Sequence, residues 1–216
     1  MIEACIFDLD GVITDTAEYH YLGWKKMADD ENFRFDRSIN ERLRGVSRRQ
    51  SLQIILRYNG KQLPEEKMAG LMEKKNEYYR QLLEEITEEG YLPGIKNLII
   101  ALRKRGIKTA IASASKNAQM VIKNLKGEKL FDLIADGHSV ERTKPAPDLF
   151  LYTAEKLGVS PSKSVVFEDA EAGIIAAIAG GFLCVGIGPE DRVGKATIRF
   201  LSTNDIQIEQ VLKLKH

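Results

Sequence analysis

Two rhythms of apolar residues divide this chain. The run Ala4-Cys5-Ile6-Phe7 is short and unbroken, the pattern of a strand covered on both faces. From Thr16 to Thr87 no strand pattern follows, only helical spacing. A helix is expected over 16–32, with Thr14 or Asp15 available as cap, and a second over 36–43. Ser47-Arg48-Arg49-Gln50 reads as a capping box opening a third helix to about Tyr58, with Leu52, Ile55 and Leu56 inward. Pro64 starts a long fourth helix to about Ile86. After Leu92-Pro93-Gly94 the pattern alternates. Helices are expected over 95–105, 116–125, 148–157 and 170–179, and strands over 108–112, 133–135, 164–167 and 182–186. An edge strand over 197–201 and a last helix capped by Asn204 complete the set. Such alternation implies a parallel α/β sheet with right-handed crossovers, whose ligands bind beyond the carboxyl ends of the strands. The helical block is too long for a simple crossover and reads as an insertion.

The strand ends carry the candidate chemistry. Asp8 and Asp10 follow the first strand, and a period of two points both the same way while Leu9 turns inward. Gly11 then lets the chain turn away. Two close anions persist when a cation neutralises them or one carboxyl keeps a proton. On their own they could equally be solvated loop aspartates. Ala112-Ser113-Ala114-Ser115-Lys116-Asn117 joins a strand to a helix with small residues and hydroxyls, suited to an anion, though alone it is an ordinary helix cap. Lys144-Pro145-Ala146-Pro147-Asp148 holds one lysine between rigid residues. Ser164 to Phe167 is a second buried strand ending in Glu168 and Asp169. Together the four carboxylates make an oxygen-rich site, better suited to Mg²⁺ than to zinc.

Composition narrows the class. The 216 residues are 44% hydrophobic, enough for a large core, and 32 Lys and Arg face 31 Asp and Glu, a net charge of +1. That balance gives no reason to expect nucleic acid or an anionic membrane as partner. No apolar run approaches transmembrane length and no signal peptide pattern precedes Asp8. Cys5 and Cys184 lie in apolar runs without metal-ligand spacing, as buried free thiols of a cytoplasmic protein would. His138 and His216 have no partners by spacing and are given no role.

The four segments, Asp8-Leu9-Asp10-Gly11-Val12, Ser113, Lys144-Pro145 and Glu168-Asp169, resemble in this order the motifs of the haloacid dehalogenase superfamily of phosphotransferases. The resemblance implies a Rossmann-like core of residues 1–14 and 89–216 and an all-helical cap of residues 15–88. Asp10 to His20, Gly45-Val46-Ser47-Arg48, Lys75-Asn76 and the segments at Ser113 and Lys144 are similar to the sugar phosphomutases of that superfamily. Arg44 stands where that family carries a lysine, and nothing is carried over for the loop 136–143.

What this likeness implies is an isomerase acting on phosphorylated sugar. It would interconvert β-D-glucose 1-phosphate and glucose 6-phosphate through β-glucose 1,6-bisphosphate, as a monomer with Mg²⁺. By the same likeness Asp8 is the nucleophile and Asp10 the general acid and base, with Lys144 balancing charge. Ser113 and Ala114 would hold the reacting phosphoryl group. The metal would sit on Asp8, the backbone carbonyl of Asp10 and Asp169, with Glu168 bound to it or beside it. Arg48, Ser115, Lys116 and Asn117 would bind the second phosphate. Gly45, Val46, Ser47, Lys75 and Asn76 would line the substrate, and Thr16, His20, Trp24 and Lys75 would govern closure, although Trp24 reads equally as cap core. The alternatives are a Mg²⁺-dependent sugar-phosphate or phosphoglycolate-type phosphatase, and a non-catalytic sugar-phosphate sensor.

Overall fold

A computed structural model describes residues 1–215; His216 lies outside the described residues. Strand β1 (Ala4–Phe7) is followed by four helices, α1 (Ala17–Asp30), α2 (Arg37–Glu41), α3 (Arg48–Tyr58) and α4 (Glu65–Leu83). Then come α5 (Ile95–Lys104), β2 (Lys108–Ala112), α6 (Ala118–Asn124), β3 (Leu133–Ala135), α7 (Asp148–Leu157) and β4 (Ser164–Glu168). Helix α8 (Glu171–Ala179), β5 (Leu183–Ile187), α9 (Glu190–Val193), β6 (Ile198–Phe200) and α10 (Ile208–Leu212) end the chain. The strands form one sheet in the order β3-β2-β1-β4-β5-β6, and every pairing is parallel.

The period of two in β1 divides the core. Cys5 and Phe7 enter the apolar layer on one face of the sheet, and Ala4 and Ile6 enter the layer on the other. Phe7 stacks on Phe167 of β4 with ring centroids 4.4 Å apart. Register pairs Phe7 with Ile111 and with Phe167, so the residues following β1, β2 and β4 emerge at one edge. The chain moves from β1 outward to β2 and β3, then crosses back to β4. The reversal lies beside Asp8, where open α/β sheets form their ligand crevice.

The helical segment has an apolar cluster of its own, built on Trp24, Met27, Ile39, Leu52, Ile55 and neighbours. Its two connections to the sheet lie side by side. Thr14 bridges Tyr91, Leu92 N–H donates to Ile13 C=O at 2.8 Å, and Thr14 Oγ1 donates to Gly90 C=O at 2.6 Å. The capping box at Ser47 is present with both of its reciprocal bonds.

Helices α2 and α4 are shorter than expected, ending at Glu41 and Leu83, and three further local expectations shift. Helix α1 is entered from Thr16, with Asp15 Oδ1 accepting from Ala17 N–H at 3.0 Å, while the Thr14 hydroxyl is used elsewhere. Helix α6 starts two residues late, because Ser113 Oγ and Ser115 Oγ accept from the N–H groups of Ser115 and Asn117 and hold a loop there. Asn204 does not cap the last helix. Ser202 caps a single 3₁₀ turn over Thr203–Asp205, and α10 begins only at Ile208.

Candidate active site

The sheet edge gathers a buried cluster of charges. Lys144, fully buried, donates to Asp8 Oδ1 at 2.6 Å and to Glu168 Oε2 at 2.8 Å. Glu168 Oε1 accepts from the N–H groups of Asp169 and Ala170 at 3.2 and 3.0 Å, fixing the turn that leaves β4. Among the described residues, Asp8, Glu168 and Asp169 each offer an oxygen within 4.8 Å of the others. Buried hard oxygen donors with surplus negative charge fit a divalent cation. Close packing preserves the cluster. Gly11 has φ +82°, and a Cβ there would collide with the Asp169 carboxylate; a Cβ on Gly173 would strike Glu168.

Burial, and then the charge of Asp8, pushes the Glu168 carboxyl up to about 8, against the pull of Lys144. Burial and Asp8 likewise raise Asp169 to about 6, with Arg44 acting in the opposite direction. The attraction of Asp8 and Glu168 outweighs desolvation at Lys144, whose pKa is raised, so it is a fixed cation.

Asp10 stands apart from this cluster. Its Oδ1 accepts from the Thr16 hydroxyl, and 26% of its side chain still meets solvent. Burial, then the charges of Asp8 and Asp169, pushes its carboxyl up to about 8. His20 Nε2 lies 3.8 Å from the same oxygen, and His20 Nδ1 is 2.9 Å from Lys75 Nζ. Burial and the positive charge of Lys75 hold His20 well below its ordinary value, so the ring is neutral. A neutral His20 that accepts from Lys75 at Nδ1 carries its proton on Nε2, facing Asp10. Burial, then Arg48, holds Lys75 well below its own ordinary value; its ammonium sits over the rings of Tyr79 and Trp24 at 4.2 and 5.2 Å.

A cleft opens between this edge and the helical segment. Asp8, Asp10 and Asp169 line one side, Ser113 to Asn117 another, and His20, Trp24, Arg44, Gly45, Val46, Arg48 and Lys75 the helical wall. Arg48 Nη2 donates to Asn76 Oδ1 at 2.7 Å, and Asn117 Nδ2 donates to the same oxygen at 2.9 Å. That shared acceptor ties the two walls together.

Not every expected residue faces the cleft. Ser47 does not line it, since its hydroxyl and N–H both engage Gln50 in the helix cap. Thr16 and Asn76 lie behind the lining, touching it through Asp10 and Arg48, and Lys144 and Glu168 lie beneath it. Asn40, Leu43 and Ser51 line the cleft without any signal in the local sequence. Arg44, which departs from the family's lysine, donates from Nη1 to Asp169 Oδ2 at 3.2 Å. Tyr79 carries no signal in the local sequence. It is fully buried, stacks on His20 at 4.1 Å, and its hydroxyl has no hydrogen-bond partner among the described residues.

A carboxylate held by a buried lysine, beside buried carboxylates that could hold a cation at the switch point of a parallel sheet, is an arrangement suited to phosphoryl transfer. The chain belongs to the haloacid dehalogenase-like hydrolase family, which matches residues 2–181. Within that family it is similar to β-phosphoglucomutases. The structure of β-phosphoglucomutase from Clostridium difficile superposes with a TM-score of 0.95 at 43% identity, covering 98% of this chain and 96% of that one. The β-phosphoglucomutase of Bacillus subtilis (strain 168) is 43% identical over 211 residues, 96% of this chain and 93% of that protein. A phosphorylated carbohydrates phosphatase from Thermotoga maritima is 28% identical over 217 residues, 99% and 98% of the two chains. Among the described residues no helix is long and apolar enough to cross a membrane.

Proposed function

We propose that this chain is a β-phosphoglucomutase, an isomerase that interconverts β-D-glucose 1-phosphate and glucose 6-phosphate through β-glucose 1,6-bisphosphate. The observation that carries the reading is a cleft with two unlike poles. Asp8 sits among buried carboxylates at one, and Arg48, Lys116 and Asn117 lie at the other. A phosphatase needs only the first pole. A mutase needs both, because its bisphosphate intermediate must be anchored by whichever phosphate is not reacting.

Asp8 attacks the phosphoryl group of the bisphosphate and becomes an aspartyl phosphate, splitting one transfer into two. Lys144 offsets negative charge as the two anions meet. Mg²⁺ held by Asp8, Asp169 and the Asp10 backbone carbonyl, with Glu168 at or beside it, would supply further positive charge to the transferring oxygens. Ser113 and the Ala114 N–H cradle that group. Asp10, with its carboxyl up at about 8, keeps a proton near neutral pH and delivers it to the departing sugar oxygen; on the return it takes one from the attacking hydroxyl. Arg48 offers a fork to the distal phosphate alongside Ser115, Lys116 and Asn117.

Residues 15–88 act as a cap on the core of residues 1–14 and 89–216. Closure through Thr16, His20, Trp24 and Lys75 keeps water from the aspartyl phosphate. Gly45 and Val46 shape the sugar side of the cleft. Every group this chemistry calls for comes from one chain, so a monomer suffices, and the buried free thiols suit a cytoplasmic setting.

The likeness to a phosphorylated carbohydrates phosphatase supports a second reading, hydrolysis of a sugar phosphate on the same nucleophile. One assay separates them. Protein is given β-glucose 1-phosphate, Mg²⁺ and a trace of the 1,6-bisphosphate, and glucose 6-phosphate and inorganic phosphate are followed together. Accumulation of glucose 6-phosphate with little free phosphate is expected; stoichiometric free phosphate favours the phosphatase.

A further inference from the structure

The loop between α2 and α3 holds charges that the mechanism above leaves unused. Arg44 Nε donates to Glu41 Oε2 at 2.9 Å while its Nη1 donates to Asp169 Oδ2 at 3.2 Å. Beyond Glu41, Arg192 Nη1 lies 4.0 Å from the same Oε2, and Arg192 belongs to α9 on the sheet side. Charges therefore alternate from Asp169 through Arg44 and Glu41 to Arg192 across the boundary between helical segment and sheet. The approach is close. Gly45 has φ +70°, and a Cβ there would come within 2.8 Å of Ala170 Cβ.

Asp169 is also one of the three carboxylates that converge on the cation site. Its side chain is 7% exposed and that of Arg44 27%, so water screens their attraction poorly. A divalent ion and a guanidinium drawn to one buried carboxylate repel each other and share a single negative charge. The planar guanidinium reaches Glu41 through Nε and Asp169 through Nη1 at once, in the fixed geometry of its fork.

We infer that Arg44 is a built-in competitor of the metal, a positioning residue that clasps the helical segment to Asp169 and is restrained in turn by Glu41. Metal binding and the clasp oppose one another. A divalent ion weakens the Arg44–Asp169 contact, and a firm contact lowers affinity for the ion. This rests on the carboxylates being the metal site.

Titration calorimetry of Mg²⁺ into the substrate-free protein tests it, with Mn²⁺ as a second probe. Arg44→Gln should tighten binding by roughly tenfold, the low end for a charge-assisted contact. Glu41→Gln should weaken it several-fold, because Arg44 is then released wholly to Asp169 and Arg192 loses its counter-charge. The double variant should follow Arg44→Gln. Arg44→Lys, which keeps the charge without the fork, should fall between the natural protein and Arg44→Gln. Opposite signs for neighbouring residues are what a merely structural role cannot give. Singles that shift together, or not at all, overturn the clasp while leaving the metal site standing. No binding of either ion by the unaltered protein overturns both.

Discussion

The two walls of the cleft solve opposite electrostatic problems. At the sheet edge Asp8, Glu168 and Asp169 crowd around one buried lysine, with Asp10 nearby, so negative charge is in excess. Their carboxyls are pushed up, and what would relieve them is positive charge. On the helical wall half-buried Arg48 lies near buried Lys75, and both are pushed down, desolvation being the main cause. The hydrogen-bond partner of Arg48 within 3 Å is a neutral amide, Asn76; its nearest carboxylate, Glu73, is 3.8 Å away and largely exposed. Relief there comes from an anion. The first wall is built by strands whose register fixes its atoms, the second by helices bonded to the sheet through side chains. The contrast teaches that one wall is fixed by backbone register and the other by side-chain contacts, which suits the first to the proposed chemistry and the second to the proposed grip on a phosphate.

The largest effect should follow from removing the proposed nucleophile. Asp8→Asn is nearly isosteric and leaves Lys144 paired with Glu168, so the protein should fold and lose all turnover. Acid-quenched labelling with a phosphoryl donor should mark Asp8 in the natural protein; label on another residue would end the assignment.

Next comes Asp10→Asn, with a loss of roughly 10²- to 10⁴-fold, the usual worth of a placed acid or base. Its carboxylate is bonded to Thr16 and stands outside the converging cluster, so Mg²⁺ affinity should change little. A drop in affinity matching that of Asp169→Ala would make the Asp10 side chain a ligand.

Arg48→Ala probes the gripping wall. Mutase turnover should fall by about 10- to 150-fold, the range for a lost charge-assisted contact. Cleavage of acetyl phosphate, too small to reach the distal wall, should hardly move. Equal losses would dissolve the contrast between the walls and favour the phosphatase.

The smallest effect is on stability. Without metal, Asp10 and Glu168 near 8 and Asp169 near 6 lie above the ordinary carboxylate range of about 4. The folded protein then holds more protons than the unfolded chain, so stability falls as pH rises between about 4 and 8. Melting in EDTA should show this fall, and saturating Mg²⁺ should flatten it. A melting temperature that rises with pH in EDTA would contradict the crowding.

Which parts of the molecule were legible in advance follows from how local their causes are. β2, β3 and α7 fall where their apolar runs and the Gly or Pro punctuation place them, because a buried strand and an amphipathic helix are written within ten residues. The last helix starts three residues later than a cap at Asn204 predicts, for a distant reason. The Thr203 hydroxyl donates to Pro93 C=O at 2.8 Å, and the Gly94 backbone packs on Asn204, drawing that segment into a 3₁₀ turn. Ser47 carried two readings, and the tertiary structure shows its polar groups occupied by the capping box.

The sequence by itself determined the parallel sheet, the helical insertion and the four segments that meet at the strand ends. Burial on both faces and short-range turn chemistry leave those little freedom. Only the tertiary structure decided that Arg44 reaches Asp169, that Asn76 joins Arg48 to Asn117, and that the Tyr79 hydroxyl is buried beside His20 with no partner among the described residues. Those pairings span 125, 28 and 41 residues for the three hydrogen bonds. No periodicity records them, because they depend on where a helix wall comes to rest against a sheet edge, a balance of packing and charge summed over both.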